Sequence, residues 1–159
     1  QAGKVGRQDG GGDAKGGAHG APLSRSYHRG MAQYQFSVSV QTQFLPDQSE
    51  PGEPMYAFAY IITVRNTGEV AAQLIARHWI IQDARGHTEE VKGLGVVGQQ
   101  PLLQPGEAFQ YTSGCRLRTS SGTMHGSYFC VAEDGTRFEA PIALFVLDAS
   151  GAEAPRTLH

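Results

Sequence analysis

The 159-residue chain is predicted to be all-β, an antiparallel sandwich, on three observations. Apolar and polar residues alternate with period two in one segment after another, as half-buried strands require. Clusters of Gly, Pro, Asn, Asp and Ser interrupt the pattern at intervals of about 8–12 residues, the spacing of short strands in a sandwich. No segment sustains the apolar period of an amphipathic helix.

Seven strands follow from this pattern. In the first, Tyr34, Phe36, Val38, Val40, Thr42 and Phe44 share one face and Ser37, Ser39, Gln41 and Gln43 the other. A polar loop from Pro46 to Pro54 leads into the second, where Tyr56, Phe58, Tyr60, Ile62 and Val64 alternate with smaller side chains. Asn66-Thr67-Gly68 closes it as a turn. The third strand runs from Val70 to Asp83, turns through Ala84-Arg85-Gly86 and returns as a fourth over His87–Val91. Glu107–Leu117, Met124–Ala132 and Arg137–Leu147 supply the rest, joined by the turns at Thr119–Gly122 and Glu133-Asp134-Gly135. Pro141 requires its strand to lie at a sheet edge or a bulge, because proline gives no ladder donor. Trp79, in mid-strand beside Ile80 and Ile81, is expected in the core between the sheets.

Composition divides the chain into three parts. Residues 1–30 hold nine of the 21 glycines and almost no large apolar side chain, so they are expected to form a disordered extension ahead of Met31. They contain no apolar run of the kind a secretory signal carries. Residues 31–148 form the sandwich domain and 149–159 a flexible polar tail. Residues 31–159 carry eight basic against thirteen acidic side chains, a net charge of −5. That balance argues against nucleic-acid binding, which depends on basic patches that displace phosphate counterions. No segment approaches the roughly 20 apolar residues of a membrane-spanning helix. A cytoplasmic protein is expected, with Cys115 and Cys130 as free buried thiols, although a bridge between neighbouring strands is sterically available.

The stretch Val91–Tyr111 carries the most unusual local chemistry. Gly93, Gly95 and Gly98 form a G-x-G-x-x-G, the spacing of a dinucleotide-binding turn. That turn needs a helix behind it, and Pro101 and Pro105 prevent one; no acidic residue follows at about 20 positions, where Arg118 stands instead. The stretch therefore reads first as a long crossing loop with bulges. A nest of glycine amides taking a phosphate-containing ligand is the second reading. Arg77, His78 and Gln100 are the candidate contacts to a partner protein.

Other constellations point away from catalysis. His78 and His87 sit on two arms of one hairpin at positions about 13 Å apart along the strands, too far to share a metal ion, and His125 is isolated. Glu89-Glu90 and Glu133-Asp134 are adjacent pairs; on a strand such neighbours point to opposite faces, and the second pair prepares a turn. There is no G-x-S-x-G elbow and no Cys–His arrangement. No catalytic residue, metal site or cofactor is expected.

Several spaced motifs together resemble the ApaG family. They are Gln48-Ser49, Tyr56-x-Phe58-x-Tyr60 and Arg77-His78-Trp79-Ile80-Ile81-x-Asp83-x-x-Gly86, followed by Glu90-Val91-x-Gly93-x-Gly95-Val96-Val97-Gly98-x-Gln100-Pro101. Pro105-Gly106-Glu107, Tyr111-Thr112-Ser113-Gly114, Gly122-Thr123-Met124-x-Gly126-x-Tyr128 and Phe138-x-x-x-Ile142-x-x-Phe145-x-Leu147 complete the set. The resemblance covers about residues 31–147 and implies an immunoglobulin-like or fibronectin-type-III-like sandwich in a bacterial cytosolic protein. It also implies indirect links to diadenosine-tetraphosphate metabolism and to cobalt resistance and magnesium efflux, and a protein-binding role. The family has no catalytic residues to carry over.

Overall fold

The computed structural model of the chain describes residues 5–8, 32–49 and 52–150. Among these residues nine antiparallel strands form two sheets: β1 (Val5–Gln8), β2 (Phe36–Phe44), β3 (Tyr56–Asn66), β4 (Ala72–Asp83), β5 (Thr88–Leu94), β6 (Leu102–Leu103), β7 (Ala108–Leu117), β8 (Ser121–Ala132) and β9 (Arg137–Asp148). The first sheet runs β1-β7-β3-β2. The second runs β5-β4-β8-β9, with β6 pairing the start of β4 on the same edge as β5. The chain crosses between sheets from β3 to β4, from β6 to β7 and from β7 to β8, as a Greek-key sandwich does.

The alternation read from the sequence is the alternation of burial. Phe58, Tyr60, Ile62 and Val64 of β3 face inward and meet Leu74, Trp79 and Ile81 of β4, Met124 and Tyr128 of β8, and Ile142 and Leu147 of β9. Trp79 is buried and joins the layers: its ring lies 5.6 Å from Tyr60, 6.4 Å from Tyr128 and 6.0 Å from Phe145. Such tilted and edge-on contacts are the favoured aromatic geometries and add to the area these rings bury. Pro141 lies on β9, an edge strand, beside an irregularity where β8 and β9 slip register between Met124 and Gly126.

Asn66 fastens the end of β3 to the crossing segment. Its side-chain amide donates to the carbonyls of Val70 (3.0 Å) and Leu103 (2.9 Å), and its Oδ1 accepts from the Gly68 amide at 2.8 Å. This buried polar side chain is thereby satisfied, with the last contact forming the Asx-turn expected of Asn-Thr-Gly.

Three details differ from the sequence reading. Two short strands join the seven expected. Within the leader expected to lack structure, Val5–Gln8 forms β1, with Val5 opposite Tyr111 and Gln8 opposite Ala108; the other residues of that leader lie outside the described ones. Ala149, assigned to the tail, is buried and donates its amide to the Ser120 carbonyl, while residues 151–159 lie outside the described ones. The remaining short strand, β6, is two residues long, too short for any alternation to mark it.

Candidate functional site

The two sheets part along one side, between β5 and the second half of β7, leaving an open cleft of about 890 Å³. Its inner wall is aromatic, with Phe58, Tyr60, Trp79 and Tyr111; Glu89 and Val91 of β5 form one lip, and Thr112 to Arg116 of β7 the other. Val96, Val97 and Gly98 close one end.

That closure explains the glycine run. β5 and β6 lie along the same edge of β4, and the residues between them leave the edge and return to it. The excursion is anchored at both ends: Gly95 donates to the Ile75 carbonyl (2.8 Å), and Leu74 donates to the Pro101 carbonyl (3.0 Å). Gln100 spans it, its Nε2 donating to Ile75 at 2.8 Å while its carbonyl accepts from Gln73 at 2.9 Å. At its tip Val96 and Gln99 exchange amide–carbonyl bonds of 2.8 and 2.9 Å around Val97 (φ 41°) and Gly98 (φ 79°). Positive φ at both central residues is the signature of a type I′ turn. For a β-branched residue such as Val97 it is an uncommon, strained conformation, held here by the closed bridge. The turn drives Val96 into the core, where it is 1% exposed.

Gly95 has two reasons to be glycine: its φ is +67°, and a Cβ there would stand 2.5 Å from the Gln99 carbonyl oxygen. Gly93 has another, because the Arg77 guanidinium lies across it, 2.8 Å from where a Cβ would sit. The Arg77 Nη1 donates to the carbonyls of Leu94 and Gly95, both at 2.9 Å. Glycine at position 93 thus lets a cation lie flat on the strand and clamp the start of the excursion.

The structure brings Arg77, Gly93, Gly95, Gly98 and Gln100 together, and it separates His78 from them. Arg77 shares the inward parity of Trp79 and Ile81, whereas His78 points to the outer face of the sheet, where its Nε2 meets Glu90 Oε2 at 2.5 Å. Glu89 and Glu90 divide the same way, Glu89 to the cleft lip and Glu90 to His78. Among the described residues no three His, Cys, Asp or Glu side chains gather as a metal ion would need, and no helix is long and apolar enough to cross a membrane.

Burial raises the pKa values of the tyrosines and thiols in and beside the cleft. The buried hydroxyls of Tyr111 and Tyr128 lie 2.5 Å apart across the sheets; burial raises the Tyr111 pKa against the hydrogen bond, and raises that of Tyr128 further with Tyr111 beside it. Tyr60 is also raised by burial, partly offset by its hydrogen bond with Ser113. Cys115 and Cys130 are free thiols; burial, with Glu89 near one and Glu139 near the other, pushes both up to about 12. Both are therefore protonated and weakly nucleophilic at neutral pH.

The sequence reading missed the cleft and the β7 edge that borders it. β7 was legible as a strand, but which of its edges faces outward depends on a sheet order that no local pattern records.

These features define a class, an immunoglobulin- or fibronectin-type-III-like sandwich domain with a clamped glycine excursion on an edge of one sheet. The ApaG domain profile matches residues 46–132. Protein ApaG of Acidovorax sp. (strain JS42) is 72% identical over 137 residues, covering 81% of this chain and 100% of that protein. Protein ApaG of Ralstonia nicotianae is 60% identical over 129 residues, with the same coverages of 81% and 100%. A crystal structure from Bordetella pertussis, 52% identical, superposes with a TM-score of 0.73 over 79% of this chain and 98% of that one. The chain belongs to the ApaG family.

Proposed function

We propose that the chain is a non-enzymatic cytoplasmic module that binds another protein, with the Arg77–Gln100 region and the neighbouring outer face bearing His78 as its contact surface. The observation that carries this reading is how the glycine excursion uses its polar groups. The amides of Gly95, Val96 and Gln99 donate to carbonyls of the chain itself, and Arg77 clamps two further carbonyls. A loop so tied to its own sheet offers a shaped surface more readily than a nest of free amides. The links to cobalt resistance, magnesium efflux and diadenosine-tetraphosphate metabolism implied by the family resemblance would then be exercised through the partner.

The test is co-purification of the native protein from its host, followed by reconstitution with each purified candidate. A partner that binds saturably, and more weakly when Arg77 or His78 is replaced by Ala, supports the proposal. If no candidate reconstitutes, the proposal fails.

A second reading rests on the Arg77 guanidinium standing in the same cleft as Val97 and Gly98. A phosphate-containing ligand there would raise the melting temperature in proportion to added pyrophosphate or ATP. No shift up to millimolar concentration would exclude it.

A further inference from the structure

The free part of the β7 edge bears directly on how a partner would dock. β7 pairs on one side with β3 through ten consecutive residues, from Tyr56 opposite Leu117 to Arg65 opposite Ala108, with no break in register. On its other side β1 covers only Ala108 to Tyr111. Beyond that point, among the described residues, Thr112 to Leu117 has no strand beside it on the outer edge.

Exposed edges are ordinarily blunted by proline, bulges, inserted charges or a covering element. Both edges of the second sheet are treated in this way. β9 carries Pro141 and faces a register slip. β5 carries Glu89, Glu90 and Lys92. At the start of β2, Phe138 of β9 packs 5.5 Å from Phe36 and 6.1 Å from Tyr34. The sequence Thr-Ser-Gly-Cys-Arg-Leu over 112–117 has only Arg116 as a guard. β1 itself shows that the edge accepts an antiparallel strand in register.

We infer that Thr112–Leu117 is a strand-docking edge that takes an extended segment of a partner protein antiparallel to β7, as a roof over the intersheet cleft. Backbone hydrogen bonds would hold the segment, and pockets for alternate side chains would select it. Its inward side chains would enter beside Ser113 and Cys115, over a wall of aromatic and aliphatic groups, which calls for apolar residues at every second position. Arg77 adds a charge preference. Its guanidinium is tied to carbonyls and makes no ion pair among the described residues, so a carboxylate on the incoming strand complements it. This inference rests on the protein-binding reading above and names the chemistry of the partner segment.

The test uses the full chain and a displayed library of random dodecapeptides. Selected peptides should share alternating apolar positions with an acidic residue. On binding they should slow hydrogen exchange of the outward-pointing amides of Thr112–Leu117, those the β3 ladder leaves unprotected, and Arg77→Ala should weaken them. Thr112→Pro and Ser113→Pro supply the control. Successive residues of a strand point their N–H groups to opposite sides, so one of the two prolines removes only an outward donor and leaves the β3 ladder whole. That folded variant should bind at least about tenfold more weakly.

Peptides that protect another surface would overturn the docking edge while leaving a protein-binding role standing. Failure to enrich any peptide, together with failure of the reconstitution above, would remove both. Slow exchange of the outward-pointing amides of Thr112–Leu117, those not bonded to β3, in the peptide-free chain would mean that the chain, or a second copy of it, already fills the edge, and the inference would fall.

Discussion

Replacing Gly95 by alanine tests the account of the glycine excursion most directly. Two costs are expected. An alanine held at φ +67° pays the left-handed penalty of roughly 1–2 kcal/mol. Its methyl group would also meet the Gln99 carbonyl oxygen at 2.5 Å, and because that oxygen belongs to the backbone it can retreat only by loosening the reciprocal Val96–Gln99 pair. Two hydrogen bonds at about 1 kcal/mol each are then weakened, for a total loss of about 3 kcal/mol. Gly98→Ala is the internal control, since Gly98 has φ +79° but nothing within 4 Å of where a Cβ would sit, so only the conformational cost of about 1–2 kcal/mol applies. Urea unfolding of the full chain, followed by tryptophan fluorescence of Trp79, should show a larger fall in midpoint for Gly95→Ala at unchanged slope. Equal costs at the two positions would refute the steric argument. A Gly95→Ala cost below about 1 kcal/mol would refute the conformational one as well.

Gly126→Ala should prevent folding, because its methyl group would run into the His78 carbonyl oxygen where β8 crosses the middle of β4; circular dichroism of the purified chain would show a lost β signal. Tyr111→Phe should cost about 1–3 kcal/mol by leaving the buried Tyr128 hydroxyl without its partner, and the Tyr111→Phe, Tyr128→Phe double variant should cost less than the two single variants together in a double-mutant cycle. Both thiols have folded pKa values raised to about 12 from an ordinary 9.0, so between those values the unfolded chain releases protons that the folded chain keeps. Stability should therefore be unaffected by the thiols below pH 9 and should fall as pH rises from about 9 toward 12, measured by urea midpoints across that range in the wild type and in Cys115→Ser. At pH 8 the native chain should react slowly with a thiol reagent and take up two equivalents once unfolded.

Much of this fold was legible because strand burial has a period that side chains record. Phe58, Tyr60, Ile62 and Val64 announce the inner face of β3 without any knowledge of its neighbours. Turn chemistry was equally local: Asp83 caps its own hairpin by accepting from the amides of Arg85 and His87. The candidate site was legible only in part, because its logic is tertiary. Arg77 and His78 are neighbours in sequence, and strand alternation sends one to the cleft and the other to Glu90 on the outer face. Gly93 and Gly95 look alike in the motif, yet one makes room for a guanidinium and the other for a carbonyl. Irregularities obscured the rest: β4 slips register with β8 between Leu74 and Ala76, opposite the place where the excursion leaves the other edge. No alternation pattern can place such a slip in advance.

The order of strands within the sheets has a consequence for how the domain is made. β3 is central in the first sheet and its inner partner is β7, while β4 is central in the second and its inner partner is β8. Asp83 must wait for Gly122, and Tyr56 for Leu117, before either ladder can close. A ribosome that has released the chain only as far as β5 has therefore delivered the two hairpins β2–β3 and β4–β5, each with its inner edge bare. Pairings so distant in sequence demand slow loop closure, in the millisecond-to-second range of all-β domains. The nascent first half is accordingly the stage most exposed to edge-to-edge aggregation, and arrival of β7 and β8 ends that exposure for both sheets.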